Sequence, residues 1–164
     1  MNPWANLTIV IGTQLLIFLF IYYRREKKHL SEILFKSLIM GICFGIPFDL
    51  IFGKYLGIYD YVLGFGLIFL FVNGLASFGL WIATVWLLRS RSFSHFCYST
   101  ICIGMIYELT NYFFPVWSWQ FAGSFIYQEL VVIIALYFGL AILVAILISL
   151  TTKQRFEFLK LNLK

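Results

Sequence analysis

Charged side chains are scarce in this 164-residue chain, where Asp, Glu, Lys and Arg together make up only 12% of the sequence. Hydrophobic residues make up 62%, and the mean hydropathy is +0.94. A soluble domain is nearer half apolar, and a chain this short cannot bury so much apolar surface in one core. The composition therefore excludes an ordinary water-soluble domain and predicts a membrane protein that exposes apolar side chains to lipid.

The chain also lacks the motifs that identify common reactions. It has no His-Glu-x-x-His, no Gly-x-Ser-x-Gly, no glycine-rich phosphate loop and no Cys/His set at metal-ligand spacing. Its three cysteines, Cys43, Cys97 and Cys102, are odd in number and include no Cys-x-x-Cys pair, so they do not form a disulfide framework. The sequence therefore predicts no metal site, leaves any cofactor unknown, and leaves open whether the protein is an enzyme.

Long apolar runs dominate the sequence. A helix needs roughly 20 apolar residues to cross the hydrocarbon core of a bilayer. The runs that qualify are residues 7–23, 34–53, 62–88, 93–114 and 124–150. We therefore predict an all-α membrane protein with about five transmembrane helices, folded as a single membrane domain over residues 1–164.

All basic residues except Lys54 fall on one side of these spans. They are Arg24, Arg25, Lys27 and Lys28 after the first span, Lys36 at the start of the second, Arg89 and Arg91 after the third, and Lys153, Arg155, Lys160 and Lys164 after the fifth. Because cytoplasmic loops are enriched in Lys and Arg, this bias predicts an outside N-terminus and a cytoplasmic tail over residues 151–164. It also explains the net charge of +5 without a nucleic-acid partner, and favours a multi-pass protein of the plasma (inner) membrane.

Two segments of the chain read alike without a gap. Residues 42–50 are ICFGIPFDL and residues 101–109 are ICIGMIYEL, so that Asp49 matches Glu108. We interpret spans two and three, about residues 34–88, as repeat A, and spans four and five, about residues 93–150, as repeat B. Each unit has two helices, so both copies enter the membrane the same way up. Such parallel repeats are related by an axis along the membrane normal.

Asp49 and Glu108 are the predicted catalytic residues. An acid inside a bilayer is a candidate functional group, and these two occupy equivalent places near the outer ends of their helices. Two close carboxylates in a low dielectric share a proton, since both cannot ionise cheaply. The pair is therefore predicted to act as a general acid and base, a cation site or a proton relay. The alternative is structural, because an acid near a helix end also bonds to headgroups, backbone or water.

Other polar residues of the spans, and two tryptophans of an outer loop, are predicted to bind the substrate. They are Asn73, Asn111, Glu129, Trp117 and Trp119. With Asp49, the polar members of this set would line one outward-facing pocket. The alternative for Asn73 and Asn111 is a plain hydrogen bond between helices. The rings of the outer loops, Tyr55, Tyr59, Tyr61, Tyr112, Trp117 and Trp119, are expected in an aromatic belt at the membrane interface.

Residues 108–119, ELTNYFFPVWSW, resemble the repeat of the lycopene cyclase family of small membrane proteins. That repeat is an acid, six residues, and then Gly-x-Trp-x-aromatic, and Pro115 stands here in place of the glycine. Residues 49–61 match the same pattern with one extra residue, while the Pro-x-Glu-Glu motif of the family is missing. Members act on isoprenoid chains with membrane-embedded carboxylates. The resemblance therefore implies that Asp49 and Glu108 are functional.

A shorter stretch, DLIFGKYLGI at residues 49–58, is similar to a helix-end motif of the rod-shape-determining membrane protein D and of related substrate-binding subunits of vitamin transporters. This second resemblance implies a non-enzymatic scaffold or transport subunit. A third hypothesis is an oligomeric channel or membrane effector whose acids ring a pore. The favoured hypothesis is a site in the lipid bilayer that binds or converts a hydrophobic, isoprenoid- or lipid-like molecule. Homo-oligomers and membrane partners stay open.

Overall fold

The computed structural model describes residues 2–25, 30–120, 127–151 and 156, with their side chains except those of Arg25 and residues 127–133. The elements are α1 (Pro3–Arg25), α2 (Leu30–Tyr55), β1 (Tyr59–Tyr61), α3 (Leu67–Leu87), α4 (Phe93–Phe113), β2 (Trp117–Trp119) and α5 (Tyr127–Thr151). Helix α2 has π-helical turns at Gly41–Gly45 and Asp49–Tyr55, and α3 has one at Asn73–Phe78. The predicted tail, apart from Thr151 and Phe156, lies outside the described residues.

Within the described ranges, four helices are long and apolar enough to cross a membrane. They are Pro3–Arg24, Leu30–Tyr55, Leu67–Leu87 and Ile134–Thr151. This agrees with an all-α membrane protein. Helix α4 has 21 residues but is not among the four, because Glu108, Asn111 and several hydroxyl side chains interrupt its apolar sequence.

The predicted start of the third span is wrong. The apolar run was expected to form a helix from residue 62, but α3 begins at Leu67. Gly57 and Gly64 have positive φ angles of 62° and 66°, which end α2 and turn the chain between them into β1. Strand β1 pairs antiparallel with β2, with Asp60 opposite Ser118 at the centre. The chain therefore closes one end of the helix bundle with a two-stranded ribbon.

Helix α3 is the central helix of the bundle. Every residue from Gly79 to Leu87 is buried, and α3 contacts α1, α2 and α5. At one end, the Asn6 amide donates to the Pro115 carbonyl at 3.0 Å and joins the start of α1 to the loop before β2. At the other end, Arg24 and Arg91 line one groove. The ribbon and these basic residues thus lie at opposite ends of the molecule.

The aromatic-belt prediction is wrong for two of the outer tyrosines. Tyr59 and Tyr61 are only 6% and 9% exposed, because β1 folds its alternate side chains into the bundle. Tyr55 and Tyr112 are exposed, as the belt requires. The ribbon therefore places tyrosine hydroxyls in the interior of the bundle, where they can form hydrogen bonds with buried groups.

Candidate functional site

The carboxylate of Asp49 lies at the centre of a buried hydrogen-bonded cluster. Asp49 begins the second π-helical turn of α2 and is completely buried. The hydroxyls of Tyr59 and Tyr61 donate to its Oδ1 at 2.7 and 2.8 Å, and Nδ2 of Asn73 donates to its Oδ2 at 2.9 Å. We call these four residues the Asp49 cluster. It joins α2, β1 and α3, and it contains one of the predicted substrate-binding residues.

Glu108 has a matching set of aromatic donors. Nε1 of Trp117 donates to Oε1 at 3.3 Å, and Nε1 of Trp119 donates to Oε2 at 3.0 Å. The hydroxyl of Tyr137, from α5, donates to Oε1 at 2.9 Å. These four residues form the Glu108 cluster, which joins α4, β2 and α5. The structure thus brings Glu108 together with the two tryptophans that the sequence assigned to the same site.

The ribbon places the two clusters side by side. In its antiparallel register Tyr59 lies opposite Trp119, and Tyr61 lies opposite Trp117. The rings of Tyr59 and Trp119 meet edge to face, with centroids 5.5 Å apart. Each strand therefore supplies two donors to the acid of its own cluster. The rings of the two strands also contact each other, so the two clusters adjoin.

A cavity of about 100 Å³ lies between the two clusters. Its lining includes the six aromatic or amide donors that the described residues supply to the two carboxylates: Tyr59, Tyr61, Asn73, Trp117, Trp119 and Tyr137. The rest of the wall is mostly apolar, including Phe48, Phe52 and Leu140. Neither Asp49 nor Glu108 lines the cavity itself. The carboxylates therefore stand behind the wall and hold its polar rings in place.

Asn111, another predicted site residue, does not line this cavity. Oδ1 of Asn111 accepts from the backbone amides of Val116 and Trp117 at 2.8 and 3.1 Å, and its Nδ2 donates to the Trp117 carbonyl at 2.9 Å. Asn111 thus fixes the loop that carries the tryptophans. Glu129 belongs to α5, but its side chain lies outside the described part of the chain. Within the described ranges, no three His, Cys, Asp or Glu side chains are grouped to hold a metal ion.

Burial changes the acidity of the two ribbon tyrosines. Desolvation raises the pKa of both phenols well above the usual value of 10.0, and the negative charge of Asp49 raises each pKa further. Both hydroxyls therefore stay protonated and keep donating to Asp49 at neutral and moderately alkaline pH. A fixed set of neutral donors is what a rigid cavity wall requires.

This acidity predicts a loss of stability in alkali. Above about pH 10 the tyrosines of the unfolded chain ionise while Tyr59 and Tyr61 stay neutral, so the free energy of unfolding falls by up to ~1.4 kcal/mol per pH unit per tyrosine. Thermal unfolding in mild detergent at pH 9, 10 and 11 measures the slope. Tyr59→Phe should make it shallower, whereas Tyr55→Phe, at an 86% exposed position, should not. Equal slopes in the two variants would contradict the assignment.

Several cavity residues were not anticipated from the sequence. Gln14, Ser77, Trp81 and Tyr137 all line the cavity. Of these residues, Gln14 could have been predicted from the sequence, because an amide inside the apolar run of the first span needs a hydrogen-bond partner in the interior. Trp81 and Tyr137 lie in apolar runs, where nothing in the sequence separates an inward ring from a lipid-facing one.

No family model, curated protein or solved structure matches this chain. The resemblances to the lycopene cyclase family and to the rod-shape-determining membrane protein D therefore stay predictions. The cavity, with the two clusters behind it, is the feature from which a function has to be inferred.

Proposed function

We propose that the protein binds an apolar, isoprenoid- or lipid-like small molecule in the cavity between the Asp49 and Glu108 clusters. The observation that carries this proposal is that the donors of both carboxylates are also the wall of one cavity. Ligand sites are typically apolar and aromatic concavities with a few fixed polar groups. An enclosure of ~150 Å³ lined by apolar side chains holds a benzene ring. This cavity, at about 100 Å³, is smaller than that, so it has room only for a few atoms at one end of such a molecule.

The carboxylates act in this proposal as positioning groups. A general acid or base has to come within hydrogen-bond reach of its substrate, and neither carboxylate lines the cavity. Each accepts hydrogen bonds from rings that do line it, so each fixes the orientation of those rings. This arrangement supports binding over acid–base catalysis by Asp49 and Glu108.

The proposal includes the internal repeat. Gly45 lies against Phe78, where an added Cβ would come 2.7 Å from Cγ, and Gly104 lies against Tyr137 in the same way at 2.5 Å. Gly45 and Phe78 are as far apart in the sequence as Gly104 and Tyr137, which supports two matching repeats. The extra residue in segment 49–57, relative to its copy, falls in a π-helical turn, and such a turn accommodates one additional residue.

A five-span arrangement with the N-terminus outside completes the proposal. Helix α4 then crosses the membrane with its polar residues turned inward, where Glu108 and Asn111 have their partners. Arg24 and Arg91 line one groove at one end of the bundle, which supports a cytoplasmic assignment for that end of a multi-pass plasma-membrane protein. The ribbon and the cavity lie toward the outer face.

The alternatives have less support from the described residues. A scaffold would present its small-residue surface to partners, but Gly41 and Gly45 pack within the chain against the π-helical turn of α3. A channel would point its acids into a pore, but Asp49 is completely buried among its donors. Both observations favour an internal ligand site in a single chain.

Filling the cavity tests the proposal. Leu140 lines the cavity, and Leu143 on the same helix is 49% exposed. The chain with Leu140→Trp should lose any apolar molecule that co-purifies with the wild type, while Leu143→Trp should retain it. Solvent extraction of the proteins purified in one detergent, followed by mass spectrometry, measures this. The same extracted molecules in all three proteins would contradict binding in the cavity.

A further inference from the structure

Three residues that line the cavity carry a buried polar atom with no partner among the described residues: Trp81 at its indole Nε1, Gln14 at its amide Oε1 and Tyr107 at its hydroxyl. The Trp81 nitrogen can only donate and the Gln14 oxygen can only accept, and both of these side chains are only 3% exposed. Buried polar groups are almost always paired, so an unpaired donor and an unpaired acceptor in one cavity indicate what the cavity receives.

Ser77, which also lines the cavity, connects Gln14 with the helix that carries Trp81. Nε2 of Gln14 donates to the Ser77 hydroxyl at 2.8 Å, which holds the amide of α1 against α3. Ser77 and Trp81 are four residues apart on α3, and residues at this spacing share a helix face. The indole is itself fixed edge to face between the rings of Tyr107 and Tyr137, at centroid distances of 5.7 and 5.5 Å. Donor and acceptor are therefore held in place before any ligand arrives.

We propose that the ligand is an apolar alcohol whose hydroxyl accepts from Trp81 Nε1 and donates to Gln14 Oε1. A hydroxyl is the smallest group that does both at once. A carbonyl or ether only accepts, so it leaves the Gln14 oxygen unpaired, and a hydrocarbon leaves both atoms unpaired. A charged headgroup would lose its hydration in a mostly apolar cavity, which is costly. This inference rests on the proposed function and narrows its ligand to one chemical class.

Three matched probes separate these cases: farnesol, farnesyl methyl ether and farnesene. Their chains are closely similar. The alcohol both donates and accepts a hydrogen bond, the ether only accepts one, and the hydrocarbon does neither. Displacement of tritiated farnesol from the full-length protein in one detergent gives their relative affinities. Each lost hydrogen bond should cost roughly tenfold in affinity. We expect farnesol to bind about tenfold more tightly than the ether and about a hundredfold more tightly than farnesene.

Two substitutions identify which protein atom meets which part of the hydroxyl. Trp81→Phe keeps an aromatic ring but removes the donor. It should therefore lower the affinity for farnesol and for the ether while leaving the affinity for farnesene unchanged. Gln14→Leu removes the acceptor, so it should bring farnesol down to the affinity of the ether. Trp86→Phe, at a buried position outside the cavity, should leave the ranking of the three probes unchanged.

The outcomes distinguish the two proposals. Equal binding of all three probes to the wild type would overturn the hydroxyl inference and leave the apolar site standing. Failure of all three to bind, together with wild-type extracts that hold no enriched molecule, would overturn the proposed function as well. The wild-type ranking needs no variant, so it decides the inference even where a substitution prevents folding.

Discussion

Replacing Asp49 with leucine is expected to lower the free energy of unfolding by about 3–6 kcal/mol, through the loss of one acceptor shared by three donors. The hydroxyls of Tyr59 and Tyr61 and the amide of Asn73 would stay buried with no carboxylate to accept from them. A buried donor left unpaired costs about 1–3 kcal/mol. In a chain of this size the melting temperature should fall by roughly 10 °C or more, measured by circular dichroism in mild detergent.

Two further variants show whether the loss comes from the cluster. Asp49→Asn keeps one oxygen that accepts from the tyrosines, so its free energy of unfolding should lie between those of the wild type and Asp49→Leu. Asp60→Leu removes an exposed acid in the same ribbon, whose Oδ1 accepts only from the Tyr61 amide among its described contacts, and should cost about 1 kcal/mol. If Asp49→Leu were no less stable than Asp60→Leu, the carboxylate would not organise the cavity wall.

Gly41→Ala is expected to destabilise the protein by about 3 kcal/mol or more, because it forces two helix backbones apart. An added Cβ would meet the carbonyl oxygen of Gly74, and would lie 2.6 and 2.8 Å from the N and Cα atoms of Gly79. All three neighbours are backbone atoms, so no side chain can rotate out of the way. The π-helical turn of α3 would have to move, and Asn73 begins that turn.

Gly139→Ala is the matched control for this substitution. It also lies in a transmembrane helix, and an added Cβ there meets nothing within 4 Å. Alanine is the better helix former, so Gly139→Ala should leave stability unchanged or raise it by up to ~1 kcal/mol. Thermal unfolding of both variants in the same detergent makes the comparison. Equal effects would contradict the close approach of α2 and α3 at Gly41.

The apolar runs predicted the positions of the helices well. They were misleading where glycine and aromatic residues occur together, at residues 62–66. The ends of α1, α2 and α4 lie within a few residues of their predicted positions. Residues 62–66 read as apolar, yet they form the turn before α3, because Gly64 adopts a positive φ. A three-residue strand is too short for its alternation to be distinguished from a loop, so the ribbon was not predicted.

The two acids and three of their donors, Asn73, Trp117 and Trp119, could be predicted, but the tyrosine donors could not. A carboxylate in an apolar helix stands out, and so does an amide, which is why Asp49, Glu108 and Asn73 were identified. Tyr59 and Tyr61 were expected at the membrane interface, where such rings are common. Hydropathy measures the affinity of a residue for lipid and carries no information on whether a ring faces lipid or a carboxylate.

Native mass spectrometry of the wild-type protein, released from mild detergent, tests the central claim most directly. It reports the number of chains and any bound small molecule together. An internal ligand site predicts one discrete apolar mass per chain, retained at low activation energy and lost when Leu140→Trp fills the cavity. Chains that carry no molecule would contradict that site, and a ring of several chains without one would in addition favour the channel hypothesis.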